Sequence, residues 1–110
     1  MKAFTDLDQS LKLAEILPIE SADMYYHPYP NDEDWYDIPN FGEADLKFNQ
    51  LPCWSLAALL DVLPKGKVLI DDVHSNKYKV IGYNLDTDYY DEPLDAYVAM
   101  ILKLKEKNLL

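Results

Sequence analysis

Residues 56–63 read Leu-Ala-Ala-Leu-Leu-Asp-Val-Leu, a run in which Asp61 is the only polar side chain. Ser55 stands before it as a residue suited to cap free backbone N–H groups, and Pro64 and Gly66 follow as breakers. The run is therefore a helix. A helix apolar on nearly every side must be enclosed, so this one is expected to be the most buried element. Leu56, Leu59, Leu60 and Leu63 should be buried together with Ile101. The 110 residues suffice for one such core, since domains commonly run to about 100–150 residues, and a single domain over 1–110 is expected.

Two further helices read from capping and spacing. Thr5 is placed to cap a helix over 6–16, with Asp6 and Asp8 opposing the helix dipole and Leu7, Leu11 and Ala14 on one face. Pro18 stops it. The last helix begins with Asp91 and Glu92, takes Pro93 at its first position, and gathers Lys103, Lys105 and Lys107 in its final turns. Leu94, Tyr97, Val98, Ile101 and Leu104 repeat there at helical spacing.

Strand-like runs fill the intervals. Asp23 to Tyr26 and Trp35 to Ile38 have the aromatic content of strands, the second set within a long exposed connection. Lys67 to Ile70 and Lys77 to Tyr83 form an antiparallel pair across a polar loop, Asp71 to Asn76. The order α-β-β-α-β-β-α implies an α+β fold, three helices packed on a small, mainly antiparallel sheet of three or four strands.

Charge excludes several function classes. Twenty acids against ten bases give a net charge of −10, every base is a lysine, and no arginine is present. Guanidinium forks are the favoured instrument for phosphate and guanine contacts, so a nucleic-acid or anionic-membrane binder is not expected. The single cysteine forbids an internal disulfide, and the longest apolar run, Ala96 to Leu102, falls short of the roughly 20 residues that span a bilayer. A reducing cytoplasm is the expected compartment, with no export signal in the first residues.

Catalytic and cofactor chemistry finds little to use. Cys53, His27 and His74 could serve nucleophilic catalysis only if the fold assembled them with an acid, and Leu51-Pro52-Cys53-Trp54-Ser55 matches no catalytic signature. A small enzyme using His74 or Cys53 is the third-ranked reading. The acidic loops beginning at Asp32 and Asp86 place Asp37 and Asp91 where a calcium loop requires glycine, so no metal is expected. The three glycines, Gly42, Gly66 and Gly82, are not spaced to cradle phosphate, and no cofactor is expected.

What stands out is tyrosine mixed with acid. Tyr25, Tyr26, Tyr29, Tyr36, Tyr89 and Tyr90 lie beside carboxylates, and residues 21–50 alone carry a net charge of −6. Within 32–45, six acids share fourteen residues with Trp35, Tyr36 and Phe41. Carboxylates steer a basic partner and aromatic rings anchor it, so Asp32, Glu33, Asp34, Trp35, Tyr36 and Asp37 are the candidate binding residues. The bland alternative is alternation along strands, one ring buried and the next exposed, with acids supplying solubility.

Leu13-Ala14-Glu15-Ile16-Leu17-Pro18-Ile19-Glu20-Ser21-Ala22-Asp23-Met24, the stretch Pro52-Cys53-Trp54-Ser55-Leu56-Ala57-Ala58-Leu59-Leu60-Asp61-Val62-Leu63-Pro64, and the tail from Pro93-Leu94-Asp95-Ala96-Tyr97 to Leu110 share a pattern. In these pieces, about half of the chain, it resembles an uncharacterised family of small acidic proteins encoded on phages and mobile elements of gut Bacteroidetes. The resemblance implies a bacterial cytoplasmic setting and an accessory role for a mobile element. It brings no activity and no functional residue.

The leading expectation is a non-enzymatic protein that binds another protein with a basic surface. The second is an acidic mimic of nucleic acid that occupies the groove of a host defence protein, which would require carboxylates spaced like phosphates over one surface.

Overall fold

A computed structural model of the chain describes residues 2–31, 33–64, 69–72 and 76–110, with 69–72 described by their backbone. The fold is α+β, as expected. Its strands form two small antiparallel sheets, where one was expected, and the chain divides into two compact units, Phe4–Ala58 and Met1–Ala3 with Leu59–Leu110.

The first unit opens with α1 (Leu7–Ala14). Its N-cap is Asp6, one residue beyond the expected Thr5: the Asp6 carboxylate accepts from the Gln9 backbone N–H, and the Gln9 side chain accepts from the Asp6 N–H. That reciprocal box satisfies two otherwise orphaned donors. Thr5 is instead fully buried. A short 3-10 turn (Ile19–Ser21) leads to β1 (Met24–Tyr26), the centre of a sheet ordered β2-β1-β3. The edge strands are β2 (Asn40–Phe41) and β3 (Leu51–Cys53), both antiparallel to β1. β3 was not expected, and the expected strand Trp35–Ile38 is irregular, joined to Pro28 by one isolated bridge at Trp35. Gly42, just past β2, has φ +130°, and the Tyr25 ring lies 3.3 Å from where a Cβ would stand, so both backbone and space require glycine there.

Met24, Tyr26, Leu51 and Cys53 form a buried cluster, with Phe4, Leu7, Ala14 and Trp35 packed against it. Along β1, Tyr25 is half-buried and Tyr26 almost fully enclosed.

The division between the units falls inside α2 (Leu56–Val62), whose first turn is capped as expected by the Ser55 hydroxyl accepting from the Ala58 N–H. Burial of α2 is one-sided. Ala58 and Leu59 are buried, but Ala57, Leu60 and Asp61 face water and Leu56 is half-exposed. The expectation of a wholly enclosed helix was therefore wrong for Leu56 and Leu60. The most enclosed helix is α3 (Pro93–Glu106), with eight of fourteen residues buried, Leu94, Met100, Ile101 and Leu104 completely.

In the second unit α3 lies on a sheet ordered β4-β5-β6. The expected antiparallel pair is present as β4 (Leu69–Asp72) and β5 (Tyr78–Gly82), in the register Leu69 to Ile81 through Asp72 to Tyr78. Asp71 and Asp72 belong to β4 and not to the loop. β6 (Leu85–Asp86) was not expected; it closes a hairpin through Tyr83 and Asn84, both at positive φ, which is the turn geometry that matches strand twist. At the start of α3, the Lys2 ammonium pairs with Asp95 at 2.8 Å, and its backbone N–H donates to Glu92 at 2.9 Å. No helix among the described residues is long and apolar enough to cross a membrane.

Candidate functional site

The acid-rich stretch of the first unit is ordered by a short hairpin and a closed turn. Tyr36 donates its backbone N–H to His27 at 2.9 Å, and Tyr29 donates to Asp34 at 2.8 Å, so 27–30 and 34–36 run antiparallel. That pairing brings the Tyr29 and Tyr36 rings to a centroid distance of 4.3 Å at a tilt of 56°. The turn is the 3-10 segment Leu46–Phe48. Asp45 caps it by accepting from the Lys47 N–H, the Gln50 amide oxygen accepts from the Asp45 N–H at 2.9 Å, and Asn49 ends it at φ 54°. The Trp35 indole N–H donates to the Asn49 carbonyl at 2.8 Å and ties turn to hairpin.

Two surface recesses result, meeting at Asn49. One, of about 560 Å³, is lined by Leu17, Ile19, Trp35, Leu46, Leu51 and Pro52 among others. The other, of about 330 Å³, is lined by His27, Tyr29, Tyr36, Lys47 and Phe48 with Pro28 and Pro30. Neighbours in sequence thus serve different recesses, Trp35 the first and Tyr36 the second.

The expected binding residues do not act alike. Glu33, Asp34 and Asp37 are exposed, and Asp34 holds the Trp35 N–H with one carboxylate oxygen. Tyr36 is 45% exposed, as an anchor requires. Trp35 is half-buried against the core cluster, so it is a wall of the site more than a free anchor. Asp32 lies outside the described residues. Sequence reading missed Leu46 and Phe48, which are 66% and 64% exposed on the turn, and Asn49 between the recesses. Their signal was two large apolar residues flanking Lys47 in a stretch too short and polar to be a core helix.

The catalytic candidates fare differently. Cys53 is fully buried; its thiol donates to the Thr5 carbonyl, at 3.4 Å, and burial pushes its pKa up from the ordinary 9.0. A protonated, enclosed thiol is a poor nucleophile. In the native protein at neutral pH, Cys53 is expected to react with a thiol reagent only as fast as the fold opens. Labelling at the rate of an activated thiolate would contradict this. His74 lies outside the described residues. Among the described residues, no three His, Cys, Asp or Glu side chains are grouped to hold a metal ion.

No family model matches the chain, and neither a curated protein nor a solved structure does. The functional reading therefore rests on the surface itself. Large apolar side chains are exposed in unusual density there: Tyr29, Tyr36, Ile38, Phe41, Leu46 and Phe48 range from 38% to 83%.

Proposed function

We propose that the protein is a non-enzymatic interaction domain that docks another protein, one with a basic surface, through residues 27–50. The carrying observation is the coincidence of exposed apolar side chains with exposed acids. Tyr36, Ile38, Phe41, Leu46 and Phe48 sit among Glu33, Asp34, Asp37, Glu43 and Asp45, all in contact with solvent. A solubility surface has carboxylates without that apolar content, since exposed apolar residues clustered within a polar rim mark interaction sites. A partner that covers the rings must also accept the charge, and a basic one does. The burial of Cys53 supports a role without covalent chemistry. The resemblance to mobile-element proteins supports a bacterial host as the partner's source.

Neutralising part of the charge tests the reading. The change Glu33→Gln, Asp34→Asn, Asp37→Asn keeps side-chain size, and asparagine at 34 retains an oxygen for the Trp35 N–H. Tagged wild type and variant are purified from the native host, and association of the partners found is measured against salt. The wild-type complex should weaken steeply as salt rises, and the variant should lose about tenfold or more of its low-salt association rate. Partners retained by the variant with no salt dependence would leave the acids as solubilising groups only.

A further inference from the structure

We infer that the segment of the partner seated here is a proline-rich peptide in the polyproline conformation that also carries lysine or arginine. The inference rests on the interaction reading above and gives the occupant its chemistry.

The shape excludes a helix as the better occupant. A helix is about 10–12 Å across and needs one continuous apolar trough. Here the apolar lining is split into recesses of about 560 and 330 Å³ at Asn49, whose carbonyl is tied to the Trp35 indole. A polyproline strand is narrow and repeats every three residues, so its rings present themselves as separate knobs. Two adjoining aromatic-walled recesses suit two such knobs.

The polar groups point the same way. The Tyr29 and Tyr36 hydroxyls, the Lys47 ammonium and the Asn49 amide all belong to the second recess, and among the described residues none of the four has a hydrogen-bond partner. All are donors. The ligand that matches a donor-rich, aromatic wall is one with free carbonyl oxygens and few N–H groups of its own. Proline-rich chain is that ligand, because its carbonyls bond nothing internally and proline lacks an N–H. The compact pyrrolidine ring also packs its C–H edges on tyrosine faces.

Charge sets the remaining feature. Glu33, Asp34 and Asp37 bracket Trp35 and Tyr36 in sequence, and Asp45 precedes the turn, whereas Lys47 is the one base in residues 21–50. Lys47 serves carbonyls in the recess, and the carboxylates outside it take the cationic residues that flank the prolines.

Four synthetic peptides of equal length test this on the full chain by NMR titration: oligoproline flanked by lysines, oligoproline flanked by glutamates, a lysine-flanked Gly/Ser peptide, and a lysine-rich amphipathic helix. The lysine-flanked oligoproline should bind about tenfold or more tighter than the other three, with shifts confined to the walls of the two recesses, residues 14–19 and 27–52. Tyr36→Ala and, separately, Phe48→Ala should each weaken it about tenfold. The Phe48 variant should keep the thermal midpoint, because that residue is 64% exposed. Tyr36 is 45% exposed and packs on Tyr29, so its variant is titrated at a temperature where it is folded. Equal binding of the Gly/Ser peptide would reduce the attraction to charge. Tighter binding of the helix would replace the occupant. A concentration-dependent dimer that broadens the same signals would make a second copy of the chain the occupant. Each of these results overturns the proline assignment, and salt-sensitive host partners lost on neutralising residues 33, 34 and 37 would still uphold the interaction reading.

Discussion

Leu59→Ala is expected to destabilise the protein by about 2–5 kcal/mol, whereas Leu60→Ala next to it should change stability by no more than about 0.5 kcal/mol. The same four-carbon side chain is truncated at neighbouring positions of α2. Their environments differ completely: Leu59 is fully enclosed and Leu60 is 46% exposed. At 59 the truncation loses the transfer energy of three carbons and leaves a cavity that the surroundings fill only in part. At 60, where nearly half of the residue already meets water, it loses less burial and leaves no enclosed cavity, and alanine is the stronger helix former. Chemical denaturation of both variants decides the matter, with midpoints compared at unchanged slope. Comparable losses at both positions would mean that α2 is buried on all sides after all, as its composition implies when read alone.

That contrast shows where sequence pattern stops being informative. Periodicity places α3 well because its cap, proline, dipole charges and apolar face agree, and consistent local signals leave few alternatives. β4 and β5 are legible for the same reason, as two β-rich runs around a polar stretch. α2 fails because a helix made of leucine and alanine has no polar side to mark the face that meets water. β3 hides because Leu51-Pro52-Cys53 is three residues long and holds a proline, whose missing N–H argues against a strand interior. Pro52 is tolerated because β3 is an edge strand with a neighbour on one side only. β6 hides because its turn uses Tyr83 and Asn84 at positive φ where asparagine and glycine would have announced it.

The candidate site divides along similar lines. Its acids are visible in the sequence because charge is local information. Tyr36 is visible as an aromatic among acids. The distinction between Tyr36, an exposed ring, and Trp35, a wall, depends on a hairpin and on a hydrogen bond to Asn49 fourteen residues away, which no spacing rule encodes. Leu46 and Phe48 become significant only once the turn holds them out of the core.

Thr5→Val is expected to lower stability by about 1–3 kcal/mol although it conserves shape, because it strands buried donors. Thr5 is fully buried, and its hydroxyl accepts from the Trp54 N–H at 3.1 Å and pairs with the Ser10 hydroxyl at 2.7 Å. Its backbone is equally engaged: the N–H donates to the Trp54 carbonyl at 2.9 Å, and the carbonyl accepts the Tyr26 hydroxyl at 2.6 Å. Valine keeps the backbone bonds and removes the side-chain ones, leaving the Trp54 N–H and the Ser10 hydroxyl without this acceptor in an enclosed site. Adding Ser10→Ala removes one of the stranded groups, so the double variant should be less destabilised than the two single losses summed. The same cluster sets an alkaline limit. Burial raises the Cys53 and Tyr26 pKa values above their ordinary 9.0 and 10.0, so the folded state keeps protons that the unfolded chain gives up. The stability this contributes is complete below the unfolded values and is lost as pH climbs past them. The denaturation midpoint should therefore hold steady from neutrality to about pH 8 and fall above about pH 9, where free thiols begin to ionise, and Cys53→Ser should remove the earliest part of that fall. A strictly additive double variant together with a midpoint that is flat to pH 10.5 would show that Thr5, Ser10, Cys53 and Tyr26 do not act as one buried network.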